Sequence, residues 1–169
     1  MTKLSRALRA TALSTVLTAS VLGTLVAGAA PSFAVTKLTD AQAASQLSAS
    51  GIGRSSSGGC TNRYNSTCTS YEQINQATVS GIKTFKSISG CAITITGGTE
   101  TGHSSGTYSH WNGYKVDVPL STCISNYITS NYAYAGTRGD GARLYKSPSG
   151  NVYARESNHW DILYYTCGC

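Results

Sequence analysis

Three histidines and seven acidic residues are few for a chain of 169 residues, yet they gather in two places. His103, His110 and Asp117 fall within fifteen positions, and Glu156, His159 and Asp161 within six. Imidazole and carboxylate together suit a catalytic zinc ion, which takes three protein ligands and leaves one position for water. His110, Asp117 and His159 can supply the three ligands. Glu156, three residues before His159, then stands as the general base for an attacking water. His103, seven residues before His110, is either a stabiliser of the developing oxyanion or a loop histidine facing solvent. Asp161 shares a strand face with His159 and reads as a partner that orients an imidazole, or as half of a surface ion pair. Glu100 and Asp140 read as loop acids.

These residues need elements to hold them. Asn112-Gly113 favours a tight two-residue hairpin turn, which would pair His110 with Lys115 and set Asp117 one diagonal step away on the same face. The capping patterns Thr69-x-x-Glu72 and Ser70-x-x-Gln73, followed by Ile74, Ala77, Ile82, Phe85 and Ile88 at helical spacing, predict a helix from about Ser70 to Ile88. Gly81 weakens its centre. Cys91 to Thr96 alternates as a half-buried strand, ended by Gly97-Gly98. Pro119 closes the strand carrying Val116 and Val118, and Ser121 or Thr122 caps a second helix with Ile124, Tyr127 and Ile128. Asn131 to Ala142 reads as an ordered loop. Arg143–Lys146 and Val152–Arg155 flank a Ser-Pro-Ser-Gly-Asn hairpin turn, and His159 to Tyr165 is the last strand. Helix, strand, strand, helix and three strands give an α+β domain, a small antiparallel sheet flanked by two main helices. Tyr132, Tyr134, Tyr145, Tyr153, Tyr164 and Tyr165 either line a cleft or serve as ordinary sheet residues.

Composition bounds the setting. Lys3, Arg6 and Arg9 precede an apolar run from Ala10 to Ala29, and Ser32-Phe33-Ala34 offers small residues for a signal peptidase, so residues 1–34 are expected to be a signal peptide and the product secreted. The mature chain would have about 135 residues, one domain, with a net charge near +3 rather than the +6 of the whole chain. With no Lys/Arg-dense run, nucleic acid is not an expected partner, and no stable membrane association is expected once the signal is removed. Residues 35–59 are Ser/Gly/Ala-rich and read as a loose leader with a short helix near Asp40–Leu47, leaving 60–169 as the domain. Six cysteines after the signal imply a disulfide framework. Cys60–Cys68 and Cys91–Cys123 are the favoured pairs, with Cys167 or Cys169 an alternative partner for Cys60 or Cys68. The chain is expected to be monomeric.

His110-x6-Asp117, with Gly113 three residues after the histidine, followed some forty residues later by Glu156-x-x-His159-Trp160, resembles the zinc D-Ala-D-Ala carboxypeptidase and dipeptidase family, whose fold is shared with the zinc-containing domain of hedgehog signalling proteins. The likeness is one of motif spacing and element order, over about residues 69 to 165. It implies zinc held by His110, Asp117 and His159, Glu156 as base, and peptidoglycan peptides as substrate. Tyr108 and Lys115 stand where that family has small residues. No arginine is marked by spacing as a clamp for substrate, so Arg143, Arg155 and His103 are the candidates. The expectation is a secreted zinc metallopeptidase hydrolysing cell-wall peptide bonds. Its alternative is a non-catalytic, disulfide-braced zinc-binding or inhibitor domain.

Overall fold

The strongest alternation in the chain builds the sheet. Val116 and Val118 on β5 (Lys115–Pro119) sit opposite Ile162 and Trp160 on β9 (His159–Leu163), and all four are fully buried on one face. The residues between them, Asp117 and Asp161, pair on the other face. A computed structural model describes residues 35–167, so the expected signal peptide and Cys169 lie outside the described residues. Within that span, β6 (Ala133–Thr137), β7 (Arg143–Lys146) and β8 (Val152–Arg155) complete a five-stranded antiparallel sheet in the order β5-β9-β8-β7-β6. Two short pairs lie outside it: β1 (Lys37–Leu38) with β3 (Ile74–Asn75), antiparallel, and β2 (Gly53–Arg54) with β4 (Thr94–Ile95), parallel. The architecture is α+β, with three helices rather than two: α1 (Asp40–Ala49), α2 (Gln76–Ser89) and α3 (Thr122–Asn131). Among the described residues no helix is long and apolar enough to cross a membrane.

The stretch read as a loose leader is part of the packed domain. Leu38, Ala43, Leu47 and Ile52 join the same core as Ile82, Phe85 and Trp160. Serine and alanine dominate its composition, but α1 needs only Ala43 and Leu47 on one face to pack. Thr39 and Gln42 close a capping box at its start.

α2 begins six residues later than its capping patterns predict. Thr69 and Ser70 are claimed by distant partners instead: Thr69 Oγ1 donates to the Ser55 carbonyl at 2.7 Å, and the Ser70 N–H donates to Glu100 Oε2 at 2.8 Å. Glu72 accepts from the Asp40 N–H at the start of α1, at 2.9 Å. Gln73 has φ of 64°, which breaks any helix through it. Gly81, in the middle of α2, lets the Tyr164 ring lie against the helix where a Cβ would overlap it. α3 starts as expected, with Ser121 Oγ accepting from the Ile124 N–H.

The Asn112-Gly113 hairpin does not form. Residues 107–113 form turns and a bend, with the Gly113 N–H donating to the His110 carbonyl at 2.7 Å. β5 pairs with β9 on one edge and, through an antiparallel bridge of Asp117 with Gly97, with the end of the β4 segment on the other, not with residues 107–111. The turn is instead seated on the start of α2, where the Gly113 carbonyl accepts from the Asn75 N–H and from Thr78 Oγ1. A Cβ at Gly113 would stand 2.5 Å from the Gln73 carbonyl oxygen, and its φ is +75°, so the docking needs glycine. The expected loop at 131–142 contains β6, whose residues are almost all exposed and so carry no alternation to read.

Cys60–Cys68 and Cys91–Cys123 are bridged. The second bridge ties the end of α2 to the start of α3 across 32 residues. Replacing Cys91 and Cys123 together by alanine is expected to lower unfolding free energy by about 3–4 kcal/mol, read as a drop in the urea midpoint with a steeper slope, because the unfolded chain without the cross-link exposes more surface.

Candidate metal centre

Three segments bring the acidic and imidazole groups together. The polar face of β5 and β9 offers Asp117 and Asp161, the loop after β4 offers His103 and His110, and the turn between β8 and β9 offers Glu156 and His159. That turn is closed by the Glu156 N–H donating to the His159 carbonyl at 3.0 Å. All six, with Lys115 and Arg138, line one cleft of about 460 Å³.

His110 is 4% exposed and its Nδ1 lies 2.7 Å from the Gly98 carbonyl oxygen. A carbonyl only accepts, so Nδ1 carries the hydrogen and Nε2 faces into the cleft. There it meets Asp117 Oδ1 at 3.3 Å and Asp161 Oδ1 at 3.7 Å. Both carboxylate oxygens are buried without a hydrogen-bond partner. His159 is arranged alike: Nδ1 lies 2.8 Å from Asn158 Oδ1, and Nε2 lies 3.5 Å from the same Asp117 Oδ1. Both ring nitrogens therefore face Asp117 Oδ1, and His110 alone also faces Asp161 Oδ1; His159 stands outside the group whose ligand atoms all lie within 4.8 Å of one another. A proton on His110 or a cation in the cleft would satisfy the buried oxygens. The residues fit a cation by this test.

His103, His110 and Asp117 each offer a ligand atom within 4.8 Å of the others and could hold a metal ion. His103 stacks on His110, with ring centres 3.8 Å apart and planes inclined by 13°. Imidazole lone pairs lie in the ring plane, and near-parallel planes do not meet at a point close to both rings. His103 is not a free loop histidine either. Its Nε2 lies 3.1 Å from Glu100 Oε1, and its Nδ1 3.8 Å from Asp117 Oδ2. Glu100, read as a plain loop acid, is 3% exposed and accepts from the Ser70 and Gly98 N–H groups. Burial would raise its carboxyl, but His103 and the backbone donors outweigh that and hold it below the usual value.

Arg138 is the residue that sequence reasoning missed. Its guanidinium reaches Asp161 Oδ2 at 3.0 Å, Glu156 Oε1 and Asp140, while Lys115 Nζ meets the same Asp161 oxygen at 2.7 Å. Arg143 and Arg155 line a neighbouring depression with Asp140 and Glu156 instead of the cleft. The Arg-Gly-Asp spacing at 138–140 was the available signal, a guanidinium two residues from a carboxylate in a turn. Asp161 is thus held from both sides. No family model, curated protein or solved structure matches this chain.

Burial alone would lower the His110 pKa, but Asp117 and Asp161 push it up to about 10. Burial would raise Asp161, but His110 and Lys115 hold it well below the usual carboxylate range. In chelator-treated protein, His110 contributes stability that is complete below about pH 6.5 and is lost as pH rises towards about 10. Asp161 contributes stability present above the ordinary carboxylate pKa and lost in acid. The urea midpoint of metal-free protein is therefore expected to peak in mildly acidic solution. A midpoint that climbs from neutrality to pH 10 would contradict this charge arrangement.

Proposed function

We propose that this chain is an exported zinc metallopeptidase of hedgehog/DD-peptidase type acting on cell-wall peptides. The observation that carries the reading is the convergence of His110 Nε2 and His159 Nε2 on the unpartnered Asp117 Oδ1. Imidazole and carboxylate donors suit zinc, and His110, Asp117 and His159 are the ligand set, because the stacked His103 ring is turned parallel to His110. When bound, zinc supplies an activated water and Lewis-acid polarisation of a carbonyl. Glu156, with Oε2 3.4 Å from His159 Nε2, accepts the water's proton and delivers it to the leaving amine. Arg138, beside Glu156, offers its charge to the substrate carboxylate or to the oxyanion as it develops. His103 lines the other wall of the cleft, the remaining candidate for that second role. Asp161, anchored by Lys115 and Arg138, keeps a carboxylate against His110. Peptidoglycan peptide as substrate rests on the motif resemblance and on the expected export.

One observation favours the second reading, a non-catalytic zinc-binding domain. Arg138 already occupies Glu156 Oε1, so the base must share itself with an ion pair. Metal content and turnover separate the two. Wild-type and His103→Ala protein are expected to hold one zinc, and His159→Ala to lose it. Glu156→Gln is expected to keep zinc while muropeptide cleavage falls by about 10²–10⁴-fold. Zinc-loaded wild type that cleaves no wall peptide leaves the binding domain, and the absence of metal in zinc-replete protein overturns both.

A further inference from the structure

A depression of about 360 Å³ adjoins the metal cleft and shares Asp140 and Glu156 with it. Its other charged residues are Arg143, which opens β7, and Arg155, which closes β8. The two pair directly across the ladder, so they leave the sheet on one face with about 5 Å between their Cβ atoms. Both side chains are exposed. Like charges set opposite each other are destabilising, yet among the described residues neither guanidinium forms an ion pair. Arg143 rests near the Tyr134 and Tyr145 rings, 5.4 and 5.9 Å from their centroids, which steadies it without neutralising its charge. The two acids of the depression are already taken by Arg138, which bonds both Asp140 and Glu156.

We propose that Arg143 and Arg155 bind a carboxylate of the molecule held in the metal cleft. A guanidinium presents a planar fork of N–H donors that matches carboxylate geometry, and two forks facing one space grip a single group from both sides. Charge selects a monoanion. Three guanidiniums, counting Arg138, stand against Asp140 and Glu156, while the charge of Asp161 is met by Lys115. One positive charge is left over. A neutral ligand leaves the arginine pair uncompensated, and a dianion brings more charge than the site can match beside two carboxylates. Arg155 immediately precedes Glu156, so the carboxylate sits on the Glu156 side of the metal centre. It belongs either to the end of a peptide chain or to an acidic side chain. Carboxylate binding needs no metal; its role as a substrate subsite rests on the peptidase reading.

The test is an NMR titration of the chelator-treated full chain, followed at the arginine side-chain N–H signals. N-acetylglycine is the monoanion, N-acetylglycinamide the neutral control and sulfate the dianion. Saturating shifts at Arg143 and Arg155 with a Kd on the order of 10 mM are expected for N-acetylglycine, weakened by added salt, with none for the amide. Arg143→Gln and Arg155→Gln are each expected to weaken binding about tenfold without lowering the thermal midpoint. Two blocked peptides then locate the carboxylate, one with its C-terminus as the only acid and one with a glutamate side chain as the only acid. Whichever shifts the arginines is expected to shift His159 too, since it crosses into the cleft. The proposal is overturned if N-acetylglycine moves neither arginine, if the amide binds as well, if sulfate binds more tightly, if both variants keep the wild-type affinity, or if no peptide shift reaches His159. Zinc-loaded protein that shows these shifts and cleaves no wall peptide overturns the peptidase reading and leaves the carboxylate site standing.

Discussion

Two carboxylates lie side by side on neighbouring strands, Asp117 opposite Asp161, each only 6% exposed. Buried like charges at cross-strand distance are destabilising unless positive groups meet them. Lys115 and Arg138 meet the outer oxygen of Asp161, and His110 meets an inner oxygen of each aspartate. The rest of the polar half of the molecule is arranged to deliver those groups. The loop after β4 brings His110 inward, the loop after β6 brings Arg138 across, and the β8–β9 turn adds Glu156 and His159.

The other half makes this arrangement rigid. The apolar faces of β5 and β9, with Val116, Val118, Trp160 and Ile162, lie in the core, so the alternation that buries them also turns Asp117 and Asp161 into the cleft. Support continues to the N-terminal segment. Asp40 at the start of α1 accepts from the Tyr71 N–H and pairs with Arg54, and the adjacent Ser70 N–H holds Glu100, which in turn holds His103. A segment that composition marks as leader is therefore linked by hydrogen bonds to one wall of the metal cleft.

Legibility followed the range of the interactions. α3 with its Ser121 cap, the Ser147–Asn151 hairpin turn and the alternation of β5 and β9 depend on neighbours a few residues away, and they could be read directly. The start of α2 could not, because Thr69, Ser70 and Glu72 spend their side chains or backbone donors on partners 13 to 32 residues distant. The Asn112-Gly113 turn was legible as a turn but not as a docking point, since its alternative to a hairpin is a contact with α2. β6 was illegible because an exposed strand held by β7 carries no burial pattern.

At the site, the chain's own chemistry named His110, Asp117, Glu156, His159 and Asp161 as a group. Few acids and histidines are present, and strand alternation relates Asp161 to His159 whatever the fold. Sequence could not tell His103 from His110, because only the packed loop stacks one ring on the other and gives the inner one both aspartates. Spacing marks Arg138 as a partner of Asp140 but not of Asp161, which it reaches from 23 residues away from the loop after an edge strand that carries no burial pattern. Residue type and local period were determined by the sequence alone. Which donors and acceptors share one small volume was decided by tertiary structure, because burying charge is tolerable only where distant parts of the chain bring its counterpart.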